Sequence, residues 1–440
     1  MSNNVEERVL DTANDTVHFD HSKQQKIAGI SSVFGSTIEW YDFFLYGTMA
    51  AIIFPQLFFP NQDPYVATLL TFTTYAVGYV ARPIGGLVFG HYGDKIGRKT
   101  SLVATLILMG IATLLIGLLP GYQQVGFWAP VLVSFLRFLQ GVAVGGEWPG
   151  SVLISMEWGT KKNRGFMAAL PQIGVPLGLI LGTGVTSLII NISGDSFQTW
   201  GWRLPFILSM FLVIIGLVIR FKLMETPSFQ KVLKEKELPK LPFVSVFKHY
   251  PKQVISGVLS NVSSDVAFGV FAFYTATYGI IHLGLDKSIF VYATLAGALV
   301  AVFAIAFSGY FSDKISPKKI LGFGNILLIL WALPYFYLVN TKSTGLIFLA
   351  VIIAFVIHSI MWAPLAPVIA ASFPAHLRFS GAAITYMFRG LIGGGVAPLV
   401  STYLLNKFGS GYAISGYIIL TAVIALVALK YVDIKYYKED

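Results

Sequence analysis

The chain has 440 residues, of which 55% are hydrophobic and 12% charged, with a mean hydropathy of +0.71. Such a composition is too apolar for a soluble domain and points to a membrane-embedded protein. The net charge is +10 and cysteine is absent, which excludes disulfides, thiolate metal sites and Cys nucleophiles.

Apolar runs of about 18 residues or more, each able to cross a hydrocarbon core about 30 Å thick, recur along the chain. Water is unavailable there to satisfy backbone amides, so each run is expected to be helical. Residues 1–26 form a charged tail of mixed sign, too long and too acidic for a cleavable signal peptide. Helix one, over 27–54, carries Glu39, Tyr41 and Asp42. The two acids are three apart and share a face, and a rise of about 1.5 Å per residue puts both near the membrane midplane. Two close acids in a low dielectric cannot both ionise cheaply. Either is therefore a candidate proton carrier, Asp42 ahead of Glu39, and Tyr41 is a candidate substrate contact.

Helix two, 65–89, holds Arg82 toward its inner end, and helix three covers 101–119. Helix four, 127–151, carries Arg137 about 15 Å from the outer face and Glu147 near the inner one. A guanidinium stays charged and can hold a carboxylate through two parallel bonds. Arg137 and Arg82 could thus grip a substrate carboxylate or a neighbouring acid, and switching of Arg137 between the two would couple proton to solute. Helices five and six, 165–190 and 203–221, complete a first unit, 27–221.

The connection 222–252 is the longest polar stretch. Its Lys/Glu-rich part, Lys231 to Lys240, is expected to form a short surface helix at the lipid headgroups. Helix seven, 253–280, places Asp265, a further proton-coupling candidate, in a polar stretch with aromatic residues beyond it, the candidate substrate contact Tyr274 among them, a lining that suits a small organic metabolite. Helices eight and nine cover 288–310 and 320–339. Helix ten, 345–371, holds His358, which either titrates near neutrality or is a satisfied core residue. Helix eleven, 380–404, holds Tyr386 and Arg389; Arg389 either pairs with Asp265 or grips an anionic substrate. Helix twelve, 412–432, closes a second unit, 253–432, before a tail at 433–440.

The two units echo each other. The loop Gly90-His91-Tyr92-Gly93-Asp94-Lys95-Ile96-Gly97-Arg98-Lys99 recurs 219 positions on as Gly309-Tyr310-Phe311-Ser312-Asp313-Lys314-Ile315-Ser316-Pro317-Lys318. Arg164-Gly165-Phe166-Met167-Ala168-Ala169 returns as Arg378-Phe379-Ser380-Gly381-Ala382-Ala383. A duplicated membrane bundle with a site between its halves is the plan of alternating-access transporters. Lys and Arg crowd the loops on the side of the termini, whereas the opposite loops hold only Lys287, Lys342 and Lys407. Both termini are therefore expected in the cytoplasm of a cell membrane, with anionic lipid as a partner. No basic cluster sits on a soluble domain, so a nucleic-acid partner is not expected.

Gly90 to Lys99 resembles the signature loop between helices two and three of the major facilitator superfamily. Arg137-Phe138-Leu139-Gln140-Gly141-Val142-Ala143-Val144-Gly145-Gly146-Glu147 is similar to its helix-four motif in the form used by the metabolite:proton symporters. Glu39 to Phe43, Ala81 to Gly86, Trp202 to Phe206, Glu225 to Pro227, and Arg378 to Gly381 with Gly393-Gly394 and Ala397-Pro398 extend the likeness from Ile27 to Tyr431. The resemblance implies an all-α membrane protein with the major facilitator fold, twelve transmembrane helices in two six-helix bundles. It implies proton symport of a metabolite such as 2-oxoglutarate, citrate, shikimate, proline or betaine, with no cofactor and no metal. It also implies a gating cluster of Asp94, Arg98, Glu147 and Glu225, with Asp313 in the second copy. Pro317 stands where the first copy has Arg98, so only the first half carries the full charged loop.

Three inward arginines (Arg82, Arg137, Arg389) against a few acids favour a small organic anion, with a zwitterionic or neutral solute as the alternative. An enzyme is not expected, because the histidines are scattered and no His-Glu-x-x-His stretch occurs. A duplicated single chain needs no oligomeric symmetry, so a monomer is expected.

Overall fold

The computed structural model describes residues 20–235 and 242–437, and is all-α. Residues 1–19 and 438–440 of the expected tails, and 236–241 of the expected surface helix, lie outside the described residues. The described part of that helix is Pro227–Glu235, and a second short helix, Pro242–His249, precedes the next long one.

Long helical segments follow in order: α1 (His21–Ile52), α2 (Pro64–Ile96), α3 (Arg98–Leu118), α4 (Trp128–Trp158), α5 (Arg164–Ser193), α6 (Gly201–Phe221), α7 (Pro251–His282), α8 (Lys287–Lys314), α9 (Pro317–Asn340), α10 (Thr344–Ala370), α11 (Ala375–Phe408) and α12 (Gly411–Tyr431). Among the described residues, ten of these are long and apolar enough to cross a membrane. The other two, α1 and α2, are 32 and 33 residues long but more polar, carrying Glu39 and Asp42 in one and Arg82 in the other. Phe303, Phe307, Leu330 and Leu399 are 66–71% exposed on the outer faces, the surface that a lipid solvent selects.

Each expected span coincides with a helix, but two ends differ in ways that matter. The charged loop after helix two is itself helical as far as Ile96, and the chain breaks at Gly97, whose φ is +109°. Glycine alone reaches that conformation cheaply. Helix four does not stop at 151; α4 runs through Pro149 to Trp158.

The helices α7 and α11 are irregular. Wide π-type turns occur at Gly269–Tyr274 and Tyr278–His282 in α7, and at Leu391–Gly395 in α11 just before Pro398. Proline supplies no N–H and blocks the regular ladder, and such turns concentrate near functional side chains. These two helices carry Asp265 and Arg389.

Packing is closest inside the first six helices (α2 with α4, α3 with α4, α1 with α5) and inside the last six (α8 with α10, α9 with α10, α9 with α12). The helices α2 and α4 cross on glycines: a Cβ at Gly141 or Gly145 would strike the backbone of Gly78 or Arg82. The seams between the two sets are α2 against α11 and α5 against α8 and α10.

Candidate functional site

Glu39 and Asp42 of α1 line a closed space with Phe43, Arg82, Arg137 and Gln140. Its volume is about 10 Å³, on the scale of one water. Asp42 Oδ2 accepts a 2.5 Å bond from Thr113 Oγ1 of α3. That hydroxyl accepts from Gln140 Nε2 at 2.7 Å, and Gln140 Oε1 accepts from Arg137 Nη1 at 3.0 Å. Arg137 therefore reaches Asp42 only through two neutral side chains.

Neither Arg137 nor Arg82 has a carboxylate within 4.0 Å among the described residues. Arg137 lies 4.3 Å over the Tyr46 ring and 4.9 Å over that of Tyr75, and Arg82 lies 4.4 Å over Tyr79. Rings in this position offset part of the cost of a desolvated cation. Glu39 has no such help: it is 2% exposed and both carboxylate oxygens lack a hydrogen-bond partner. An unpaired buried carboxylate costs several kcal/mol when charged, and Asp42 keeps one donor where Glu39 has none.

In the other half Arg389 Nη1 meets Asp265 Oδ1 at 2.7 Å. The pairing with Asp265, one of the two roles expected of Arg389, is present. It lies 4.3 Å over Tyr386 and 4.8 Å over Trp362. His358 sits 5.3 Å from Trp362 and 5.2 Å from Phe268, with its Nε2 buried and unpaired, beside a second space of about 10 Å³ that Val175 and Pro176 of α5 close. The two halves touch at Tyr386, whose ring stacks on Trp148 of α4 at 3.7 Å. Trp148 Nε1 donates to Gln172 Oε1 (2.9 Å), and Gln172 Nε2 donates across the seam to the Trp362 carbonyl (3.1 Å).

Two expected substrate contacts lie elsewhere. Tyr41 turns toward α6 and donates to the Pro205 carbonyl at 2.8 Å, because its position on α1 faces away from the two acids. Tyr274 is buried in the apolar core of the second half. Thr113, Gln140, Trp148, Gln172 and Trp362 were not singled out from the sequence. A buried glutamine within an apolar helix was the available signal for two of them.

At the end that gathers the basic residues, Asp94 accepts the backbone N–H groups of Phe379 (3.2 Å) and Ser380 (3.0 Å), in the first turn of Arg378–Gly390. Arg98 pairs with Asp94 at 3.3 Å, donates to the Ala375 carbonyl at 2.9 Å and lies 3.7 Å from Glu157. Glu157 also meets Arg378 at 3.4 Å and accepts from Thr226 at 2.5 Å. Glu225 accepts the N–H groups of Lys99 (3.1 Å) and Thr226 (3.0 Å), and burial raises its carboxyl above the ordinary value. In the second copy Asp313 accepts the N–H groups of Gly165 (2.6 Å) and Phe166 (2.8 Å). Asp94 and Asp313 each cap a helix of the opposite half, where the partial positive charge of the N-terminus favours them.

Glu147 does not join this cluster. It pairs with Arg220 of α6 and accepts from Thr105 (2.8 Å) and Ser151 (2.9 Å). The continuation of α4 to Trp158 leaves Glu147 inside the first half and puts Glu157 at the end in its place.

The sequence matches the family model described as Major Facilitator Superfamily over residues 33–398. It is 35% identical over 407 residues to the inner membrane metabolite transport protein YhjE of Escherichia coli (strain K12), covering 91% of this chain and 92% of that protein. The shikimate transporter of the same organism is 32% identical over 408 residues, at 91% and 93% coverage. Its proline/betaine transporter is 32% identical over 426 residues, at 94% and 85%. The structure of the proton:xylose symporter XylE bound to 6-bromo-6-deoxy-D-glucose matches with a TM-score of 0.76 at 16% identity, covering 94% of this chain and 97% of that one. At that identity the likeness speaks for the fold.

Proposed function

The chain belongs to the major facilitator superfamily, and on that premise we propose that it is a proton-coupled symporter of a small organic solute bearing one carboxylate, zwitterionic rather than multiply charged. It is a multi-pass membrane transporter and not an enzyme. Twelve helices cross the membrane as two six-helix bundles, 27–221 and 253–432, joined by 222–252, and the monomer works by rocking one bundle against the other. The basic end faces the cytoplasm, by the bias of Lys and Arg toward it.

One observation carries the reading. Glu39 is buried with both oxygens unpaired, beside two arginines that have no carboxylate of their own. A proton on Glu39 and a solute carboxylate on Arg82 or Arg137 complete the site together, and each makes the other easier to bind. Asp42 feels the solute through the Thr113–Gln140 link to Arg137.

Charge balance sets the solute class. Arg82, Arg137 and Arg389 stand against Glu39, Asp42 and Asp265, and Arg389 is already engaged. Two open cations and one added proton suit a single carboxylate. Di- and tricarboxylates bring more charge than this set can answer. Shikimate, proline and betaine, named for the relatives, each carry one carboxylate.

The test is uptake into proteoliposomes with an imposed pH gradient, comparing proline, betaine, shikimate and citrate. Accumulation of a monocarboxylate that collapses with an uncoupler is expected; uptake of citrate alone contradicts the assignment. The open Arg82 favours a second reading, a simple organic anion, which preferential uptake of shikimate over betaine would support.

A further inference from the structure

Asp94 and Asp313 occupy the last turns of α2 and α8, where a negative charge opposes the helix's own dipole. Each is stabilised from the other half instead, by two backbone N–H groups. Beyond that shared cap the two copies differ. Asp94 has Arg98 as a side-chain donor, and Glu157 holds Arg98 and Arg378 together. At the second copy Pro317 stands where Arg98 would be, and proline has no donor to give.

Tyr437 makes up the difference. Its hydroxyl donates to Asp313 Oδ1 at 2.9 Å, in the position Arg98 takes at Asp94. Its carbonyl accepts from Arg164 Nη1 at 2.8 Å, and Arg164 is the counterpart of Arg378. Its own N–H closes a turn on the Ile434 carbonyl at 3.0 Å. The segment is moored upstream, where Lys318 Nζ donates to the Val432 carbonyl at 2.7 Å and Val432 is 3% exposed. Gly165 leaves the room required: a Cβ there would lie 2.7 Å from the Tyr437 hydroxyl and 2.9 Å from Asp313 Oδ1. Burial and the adjacent Asp313 push the phenol up, so it remains a protonated donor.

We infer that residues 432–437 form a strap that completes the second latch between the halves, with Tyr437 replacing the arginine missing from the duplicated loop. The strap holds the seam of α5 and α8 closed at the basic end, so its release sets how often that end opens. Its consequence for transport rests on the alternating-access reading above; the strap itself does not.

The absence of cysteine makes a single introduced thiol a clean reporter. Ala383→Cys is suitable, because Ala383 is fully buried near Gly86 on the opposite seam and so registers opening of the whole end, not local fraying. In the purified full-length protein, Tyr437→Phe should speed its labelling by a water-soluble maleimide about tenfold, the order expected for a lost hydrogen bond to a charged group. Tyr431→Phe, at an exposed ring just outside the strap, should leave the rate as it was. Adding Pro317→Arg to Tyr437→Phe should restore slow labelling. Equal labelling of Tyr437→Phe and its parent overturns the strap, and failure of the arginine to rescue overturns the replacement. Labelling is read whether or not any solute is carried, so this result stands apart from the uptake assay.

Discussion

Glu39 and Glu147 are both buried glutamates in the first half, and their partners separate them. Glu147 has Arg220, Thr105 and Ser151, whereas Glu39 has none. A buried charge with full pairing is structural, and removing one partner costs ~3–5 kcal/mol. Arg220→Leu should therefore lower the thermal unfolding midpoint sharply in detergent, with Glu147 left without its cation; an unchanged midpoint would show that the pair is not what holds α4 to α6. Thr113→Val makes the complementary case. It removes the donor to Asp42 and cuts the link to Arg137, so proton-driven uptake should fall about tenfold or more, the scale of a hydrogen bond to a charged group, with a cooperative unfolding transition retained. Glu225 gives a pH signature. Its carboxyl is raised by burial, so its contribution to stability is whole below the ordinary glutamate value and fades as pH climbs through the raised one. Glu225→Gln should flatten that part of the stability-against-pH curve. The acids of α1 were legible in the sequence because a charge inside an apolar run is rare and costly. Thr113 and Gln140 were not, since an ordinary polar residue acquires its meaning only from what the neighbouring helix brings opposite it.

At the scale of elements, the spans were legible because the lipid imposes one length and one periodicity on every helix. Their ends were less so. Hydropathy stops where the membrane stops, but α2 and α4 continue past it to Ile96 and Trp158. The extension of α4 is what exchanged Glu147 for Glu157 in the basic-end cluster. The turns in α7 were also hidden, because an apolar stretch with glycines reads as a plain helix, whereas the turn in α11 has Pro398 and its flanking glycines as a signal. The crossing of α2 and α4 yields a direct test. Gly141→Ala puts a methyl group into the Gly78 carbonyl, and overpacking of this kind costs ~1–3 kcal/mol. The variant should unfold at a lower temperature than a control such as Gly184→Ala, whose added Cβ meets nothing. Equal stability would mean that the two helices do not approach as closely as described.

At the scale of the molecule, the duplicated loop announced two related halves, and the cross-capping by Asp94 and Asp313 gives that repeat a physical purpose. Each half holds the first turn of a helix in the other, so the basic end closes through a pair of related contacts that were not readable from either loop alone. The two halves also meet at the stack of Tyr386 on Trp148 and at the Gln172 bridge. Such a closed form suits a carrier that exposes its site to one side at a time. In the mechanism proposed above, coupling depends on the acids of α1. The measurement that tests this most directly is solute accumulation in proteoliposomes by Glu39→Gln/Asp42→Asn, set beside solute exchange at equal pH. The account predicts that uphill accumulation is lost while exchange persists; accumulation at the parent level would contradict it.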